Sequence, residues 1–178
     1  MRYFVAITFP EGMSKEVDHL RRRFYPKSLK MHPPHITLFP PFSPVSEITD
    51  LSAPLRRASL EVSPFPLEMK EVGTFEGKRQ HVLYLNVPVT KNLQNLFERI
   101  VAHLAPLAKK VNLPPTFKAH ITVGNNLSLK AFEQARKELQ SYEGVYSFKV
   151  EDIVLFEKED KSVGWKEKIR VPLQGTRH

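Results

Sequence analysis

The sequence has no cysteine. A chain without cysteine forms no disulfide bond, offers no thiolate ligand to zinc and has no cysteine nucleophile. A small secreted domain held together by disulfides is therefore excluded, and we expect a cytoplasmic protein. No apolar run approaches the roughly 18 residues that a membrane helix needs. The opening segment, residues 1–10, lacks the small-residue cleavage site of a secretory signal and predicts a strand instead.

The remaining composition is that of an ordinary globular chain. Of its 178 residues, 41% are hydrophobic and 26% are charged, which excludes wholesale disorder and allows one domain or one compact unit of two lobes. Lysine and arginine number 27 against 19 acidic residues, so the net charge is +8. Such a chain attracts anions, of which phosphates are the commonest in cells. A basic surface without a specific partner is the alternative, and charge alone leaves both open.

Hydrophobic periodicity predicts an alternation of strands and helices. Strands are predicted over residues 3–9, 35–39, 65–75, 81–87, 116–123, 146–156 and 165–171. One helix is predicted over residues 46–60. Three more are predicted to begin at the N-cap residues Ser14, Thr90 and Ser128. Pro54 should kink or split its helix, and a turn at Glu76-Gly77 should join two strands. The apolar run over residues 81–85 predicts a strand buried on both faces.

The chain also repeats itself. Three pairs of segments resemble each other in the same order: residues 5–10 and 83–88, residues 33–38 and 114–123, and residues 65–76 and 148–157. The order strand, helix, strand, helix, strand thus occurs twice, in pseudo-repeats of about 1–76 and 81–171 with no linker between them. We expect residues 1–178 to form a single domain of two lobes packed face to face.

Each repeat carries a His-x-Thr motif on a predicted strand, His35 with Thr37 and His120 with Thr122. Residues two apart on a strand point to the same face, so each lobe offers an imidazole beside a hydroxyl. If a pseudo-two-fold axis relates the lobes, the two pairs face each other across a cleft.

This set of side chains suits cleavage of a phosphodiester without a metal. One neutral histidine accepts a proton from the attacking oxygen and the other, as imidazolium, protonates the leaving oxygen. The threonine hydroxyls donate to the phosphate oxygens. A single motif would favour a partly buried, hydrogen-bonded histidine with no catalytic role, whereas two copies favour catalysis. A metal site is not expected, because prolines in His32-Pro33-Pro34-His35 forbid the helix that would align its histidines.

The two motifs, together with the opening Phe-Val-Ala-Ile-Thr-Phe-Pro, resemble the 2H phosphoesterase superfamily, and within it the bacterial 2′-5′ RNA ligase and cyclic phosphodiesterase branch. The resemblance runs to about residue 171. It implies a bilobal α+β fold, with antiparallel sheets lining a central groove and helices outside. It also implies opening of 2′,3′-cyclic phosphates, or the reverse joining, at RNA ends or nucleotides without a cofactor. His35 and His120 would then be the acid–base pair, and Thr37 and Thr122 the phosphate donors.

Further substrate contacts are open at this point. Lys118 shares strand parity with His120 and is a candidate phosphate contact, although a solvated edge lysine is the commoner case. Phe39 and Phe42 could stack on a base, with core packing as the alternative. The runs of basic residues, Arg21-Arg22-Arg23 among them, predict solvated helix faces.

Two other kinds of function compete with a phosphoesterase. A nucleotide- or RNA-binding module using the same groove would bind phosphates without forming product, and a structural protein would carry idle histidines. The sequence leaves open which histidine is the acid, the natural substrate, and whether the reaction is hydrolysis or ligation. It shows no sign of a protein partner or of oligomerisation, so we expect a monomer.

Overall fold

The computed structural model describes residues 1–46, 50–76, 81–140, 142, 144 and 146–175. Within these ranges strands and helices alternate. The strands are β1 (Arg2–Thr8), β2 (His35–Pro44), β3 (Phe65–Glu76), β4 (His81–Asn86), β5 (Ala108–Lys109), β6 (His120–Leu127), β7 (Tyr146–Val150), β8 (Asp152–Lys158) and β9 (Lys166–Pro172). The α-helices are α1 (Glu11–Phe24), α2 (Ser52–Ser59), α3 (Lys91–Leu104) and α4 (Leu129–Leu139). None of the described helices is long and apolar enough to cross a membrane.

The strands form two antiparallel sheets. The first sheet has the order β5-β2-β1-β8-β9, and the second has the order β6-β4-β3-β7. Each contains a motif strand, β2 or β6, beside the first strand of its own repeat. The third strand of each repeat pairs in the other sheet, β8 with β1 and β3 with β4. Because each repeat contributes a strand to the other sheet, backbone hydrogen bonds join the two repeats. The predicted bilobal α+β fold is confirmed.

One hydrophobic core joins the two sheets and the four helices. Buried side chains from every helix and from both sheets belong to a single cluster, which includes Ile36, Leu85, Leu96 and Phe132. Fully burying a side chain of this size contributes about 1.5–3 kcal/mol relative to its exposure, so the core holds the sheets in a fixed relation. Helix α1, from the first repeat, also packs on β6 from the second, which brings its inner face to the motif strand.

Two of the three expected helix caps are confirmed. The Thr90 hydroxyl accepts a hydrogen bond from the Leu93 amide, and the Ser128 hydroxyl accepts one from the Ala131 amide. The prediction for Ser14 is wrong, because α1 begins three residues earlier, after Pro10. Ser14 therefore lies within the first turns of the helix, where its hydroxyl donates to the Phe9 carbonyl.

The predicted helix over 46–60 is shorter than expected. Helix α2 begins at Ser52, so Pro54 lies in its first turn. The missing amide of a proline costs no hydrogen bond there, since the first amides of a helix have no partner within it, and the expected kink is absent. Ile48, within the span of the predicted helix, lies outside the described residues, as does Gly77 of the predicted turn.

Three strand predictions need correction. The strand expected from residue 116 begins at His120. The strand expected over 146–156 is two strands, β7 and β8, which separate at Glu151 and enter different sheets. Strand β4 is not buried on both faces, because Leu83 and Leu85 are buried while Tyr84 is only partly so. The partly open face of β4 lies towards the second motif.

Candidate active site

Strands β2 and β6 hold the two motifs in matching positions. On β2, His35 and Thr37 lie on the partly exposed face, while Ile36 and Leu38 are buried in the core. On β6 the same alternation sets His120 and Thr122 against the buried Ile121 and Val123. Apolar residues on the opposite face therefore fix the direction of both histidines.

The two motifs meet in one cavity. It is lined by Arg21, Tyr25, His32, Pro34, His35, Thr37, His120, Thr122 and Asn125. Its volume is about 110 Å³, whereas pockets that bury a whole drug-sized ligand run to about 300–1,000 Å³. A cavity of this size suits one small anionic group rather than an entire nucleotide.

Backbone carbonyls fix the tautomers of both motif histidines. The His35 Nδ1 lies 2.9 Å from the Pro33 carbonyl oxygen, and the His120 Nδ1 lies 2.7 Å from the Lys118 carbonyl oxygen. A carbonyl oxygen only accepts, so each Nδ1 carries a proton and donates it. In the neutral ring the lone pair is then on Nε2, which leaves Nε2 as the atom that takes or gives protons.

Aromatic rings support each histidine from behind. The His35 ring lies 5.0 Å from the Phe4 ring and 6.5 Å from the Phe156 ring. Phe4 in turn stacks on Phe156 and meets Trp165 edge to face, each at 4.7 Å. These contacts leave His35 little freedom to rotate.

The second histidine has an equivalent support. The His120 ring lies 5.2 Å from Phe75 and 5.4 Å from Tyr84, and those two rings stack at 4.2 Å. The Tyr84 ring crosses Gly73 so closely that a Cβ there would meet it at 2.4 Å. Glycine at this position therefore lets Tyr84 lie flat beside His120.

The surroundings of His35 make its ring hard to protonate. Burial, then the neighbouring His32, lowers the pKa of His35 to about 3, with smaller contributions from Arg21 and His120 and an opposing one from the Pro33 carbonyl. At neutral pH His35 is therefore a neutral imidazole with a free Nε2 lone pair, the state that a general base requires.

Neither of the two candidate stacking residues reaches the cavity. Phe39 is fully buried and Phe42 is 2% exposed, and both pack in the main core. A β-bulge explains Phe39: Thr37 pairs with Ala6, but Phe39 pairs with Val5, whose side chain faces the core. The extra residue turns Phe39 away from the face that it would share with His35 on a regular strand. A base cannot stack on either ring as placed.

Lys118 lies beside the cavity rather than in it. Strand β6 begins only at His120, so strand parity does not govern Lys118. Its carbonyl holds the His120 ring, and its exposed side chain lines a separate cavity with Tyr84 and Phe117. The role of this side chain in binding phosphate stays a prediction.

The sequence did not predict that Arg21 lies in the site. His32 was considered only as a metal ligand, which was not expected, and no other role was predicted for it. Arg21 was expected on a solvated face, yet it is 1% exposed and lines the cavity. A signal was present, since Arg21 lies four residues after the buried Val17 and therefore on the inner face of α1. Tyr25 and Asn125 come together only through the packing of α1 on β6, with the Asn125 amide 3.5 Å from the Tyr25 hydroxyl.

Within the described ranges no three histidine or carboxylate side chains lie close enough together to hold a metal ion. The groups available for chemistry in the cavity are imidazoles, hydroxyls, an amide and one guanidinium. Such groups bind an anion and move protons.

Comparisons with known proteins identify the family of this chain. The chain matches the family described as the 2′-5′ RNA ligase superfamily over residues 9–162. A protein of Halalkalibacterium halodurans is 32% identical over 129 residues, which cover 72% of each chain. The name of that protein gives a provisional assignment as a phosphoesterase.

Solved structures share the fold at low sequence identity. TT0787 of Thermus thermophilus superposes with a TM-score of 0.71 and 21% identity, over 99% of this chain and all of that one. The LigT protein of Escherichia coli in complex with 3′-AMP gives a TM-score of 0.65 and 20% identity, over 97% of both chains. The match over most of the length, on a fold that carries both motifs, assigns this chain to the 2′-5′ RNA ligase superfamily, the 2H phosphoesterases.

Proposed function

We propose that this protein is a metal-independent phosphoesterase that acts on a 2′,3′-cyclic phosphate or a 2′-5′ phosphodiester of an RNA end or nucleotide. One observation carries the proposal: two histidines, each with Nδ1 fixed by a backbone carbonyl, face one small cavity together with two threonine hydroxyls. A relative of this fold, LigT, has been crystallised with 3′-AMP and with phosphate, which supports a nucleotide substrate.

His35 acts as the general base in the proposed reaction. Its Nε2 lone pair takes a proton from water, and the water oxygen forms a bond to phosphorus. Burial and its neighbours lower the pKa of His35, which keeps the ring neutral and leaves the Nε2 lone pair available to accept that proton. A positioned base or acid of this kind contributes typically 10²–10⁴-fold to the rate.

His120 acts as the general acid. As the bond between phosphorus and one ribose oxygen breaks, the protonated Nε2 of His120 gives its proton to that oxygen. The product is a phosphate monoester with a free hydroxyl. His35 ends protonated and His120 neutral, and exchange with solvent returns both to their starting states.

Thr37 and Thr122 stabilise the charge that collects on the phosphate. Each hydroxyl lies two residues beyond its histidine on the same face of the strand, at the wall of the cavity. Hydroxyl donors aimed at the non-bridging oxygens stabilise the transition state more than the substrate, because the negative charge on those oxygens grows during the reaction.

The nucleoside lies outside the small cavity in this proposal. A neighbouring cavity of about 490 Å³ shares Tyr25 and Asn125 with it and is further lined by Phe24, Pro26, Lys27, Met31 and Asn126. This volume falls within the usual range of ligand pockets, and its aromatic and amide side chains suit a base.

We further propose that the enzyme acts as a monomer in the cytoplasm.

The test incubates the protein with 2′,3′-cyclic nucleotides, and with a short RNA that ends in a cyclic phosphate, in the presence of EDTA. We expect product from the wild type and from His19→Ala, a variant of an exposed histidine on α1, and none from His35→Ala or His120→Ala. Chromatography of the 2′- and 3′-phosphates identifies the leaving oxygen. Turnover that survives either active-site substitution refutes the mechanism, and salt-sensitive binding of the same ligands without product favours a binding module.

A further inference from the structure

A buried arginine stands at the edge of the catalytic cavity with most of its donors already engaged. The Arg21 Nε donates to the Ser28 hydroxyl at 3.0 Å, and Nη1 donates to Asp18 at 2.7 Å. Nη2 donates to the His32 carbonyl oxygen, also at 2.7 Å. This network ties α1 to the segment that leads into the first motif.

The same guanidinium contacts the ring of His32. Nη2 of Arg21 lies 3.3 Å from the His32 Nδ1, which is also 3.1 Å from the Pro33 carbonyl oxygen. The two contacts demand opposite states of Nδ1. A guanidinium only donates and needs a lone pair there, whereas a carbonyl only accepts and needs a proton.

Charge and burial make the His32 ring neutral, and its hydrogen-bond partners then select the tautomer. Burial is the largest influence that lowers the pKa of His32, and the Arg21 charge adds to it, against opposing contributions from the Pro33 carbonyl and Asp18. His32 is therefore neutral. The Pro33 carbonyl already accepts from His35 at 2.9 Å, while the Nη2 of Arg21 is fixed at the His32 backbone. A lone pair on Nδ1 accepts the second N–H of Nη2, leaves the Pro33 carbonyl to accept from His35, and puts the ring proton on Nε2.

We propose that Arg21 is a positioning residue that holds His32 as the neutral Nε2–H tautomer, so that His32 offers a third hydrogen-bond donor to the phosphate. The inference rests on the proposed function only in taking a phosphate as the ligand of this cavity. His32 lines the cavity, and its ring meets the His35 ring at 4.7 Å, nearly perpendicular. A neutral donor binds the anion without adding a further positive charge beside the proposed base.

The tautomers can be read directly by long-range ¹H–¹⁵N NMR of the unliganded protein at pH 7. We expect His32 as Nε2–H, and His35 and His120 as Nδ1–H. In Arg21→Met the His32 pattern should change, whereas Arg22→Met, at an exposed arginine of the same helix, should leave it unchanged. A wild-type His32 that is protonated on Nδ1 refutes the proposal.

Substitutions at His32 itself test the donor without disturbing the buried arginine. The side-chain amide of glutamine reaches about as far as Nε2, whereas that of asparagine reaches about as far as Nδ1. Calorimetry with inorganic phosphate should therefore show affinity largely kept in His32→Gln and reduced about tenfold in His32→Asn, the range expected for losing a hydrogen bond to a charged group. Equal affinity of wild type and His32→Asn refutes the proposal.

These readouts separate this inference from the proposed function, because neither depends on turnover. The expected tautomers and phosphate affinities without hydrolysis of any cyclic phosphate would support the role of His32 and refute the phosphoesterase. Turnover with His32 protonated on Nδ1 would support the phosphoesterase and refute the role of His32.

Discussion

Acid should destabilise this protein through His35, because the unfolded chain takes up a proton at this residue at a higher pH than the folded chain does. In the folded chain burial, followed by His32, Arg21 and His120, lowers the pKa of His35 to about 3 from an ordinary value of 6.5. Between pH 3 and 6.5 the unfolded chain therefore binds a proton at this residue that the folded chain does not. Stability rises with pH wherever the unfolded state binds more protons, so it should fall as the pH drops below 6.5.

The size of the effect follows from the same two pKa values. Each pH unit below 6.5 costs the folded state about 1.4 kcal/mol, so the loss at pH 5, relative to pH 8, is at most about 2 kcal/mol. That is a large part of the roughly 5–15 kcal/mol that stabilises a typical domain. His32, whose pKa is also lowered, adds a loss of the same sign.

Urea unfolding at pH 8 and pH 5 measures this loss, with His35→Asn as the matched variant. Asparagine keeps a donor for the Pro33 carbonyl but does not titrate. We expect the wild type to lose about 1–2 kcal/mol more than the variant on going from pH 8 to pH 5. An equal loss in both proteins would show that His35 takes up its proton in the folded state, and would remove the reason for assigning it as the base.

Three further predictions follow from the site. Thr37→Val and Thr122→Val should each lower kcat about tenfold or more without affecting folding, since one hydrogen bond to a charged group is lost; circular dichroism with steady-state kinetics checks this, and unchanged kcat would contradict it. A phosphodiester with a p-nitrophenolate leaving group needs no proton on the departing oxygen, so it should restore turnover to His120→Ala but not to His35→Ala, and the reverse pattern would exchange the two roles. Gly73→Ala should displace the Tyr84 ring, which supports His120, and so lower kcat. A crystal structure of the variant checks this, and an undisturbed Tyr84 ring would refute the prediction.

The parts of the fold that local sequence determines were predictable. A threonine or serine before an apolar stripe marked the starts of α3 and α4, and the duplicated segments indicated the order of elements. The alternation around His35 and His120 indicated which face of each strand is open. The caps and the alternation depend on residues a few positions apart, whereas the repeat is found by comparing whole segments of the sequence.

The missed features depend on contacts between distant parts of the chain. Nothing local to residues 146–156 indicates that β7 and β8 enter different sheets, because their partners are β3 and β1. The bulge that buries Phe39 arises where β2 meets β1. Arg21 was treated as a surface cation because buried arginines are rare, although its helical phase with Val17 indicated otherwise.

The two pseudo-repeats place His35 and His120 in equivalent positions. An acid–base pair, however, needs two histidines that differ in protonation state. Both rings donate from Nδ1 to the carbonyl two residues back, and both rest on aromatic side chains. They differ three residues upstream: His32 precedes His35, whereas Phe117 precedes His120 and stacks on Phe97 instead. Arg21 donates to His32, the residue three positions before the first motif histidine. In the proposed mechanism the symmetric residues would set the geometry of proton transfer, and the residues that break the symmetry would set its direction.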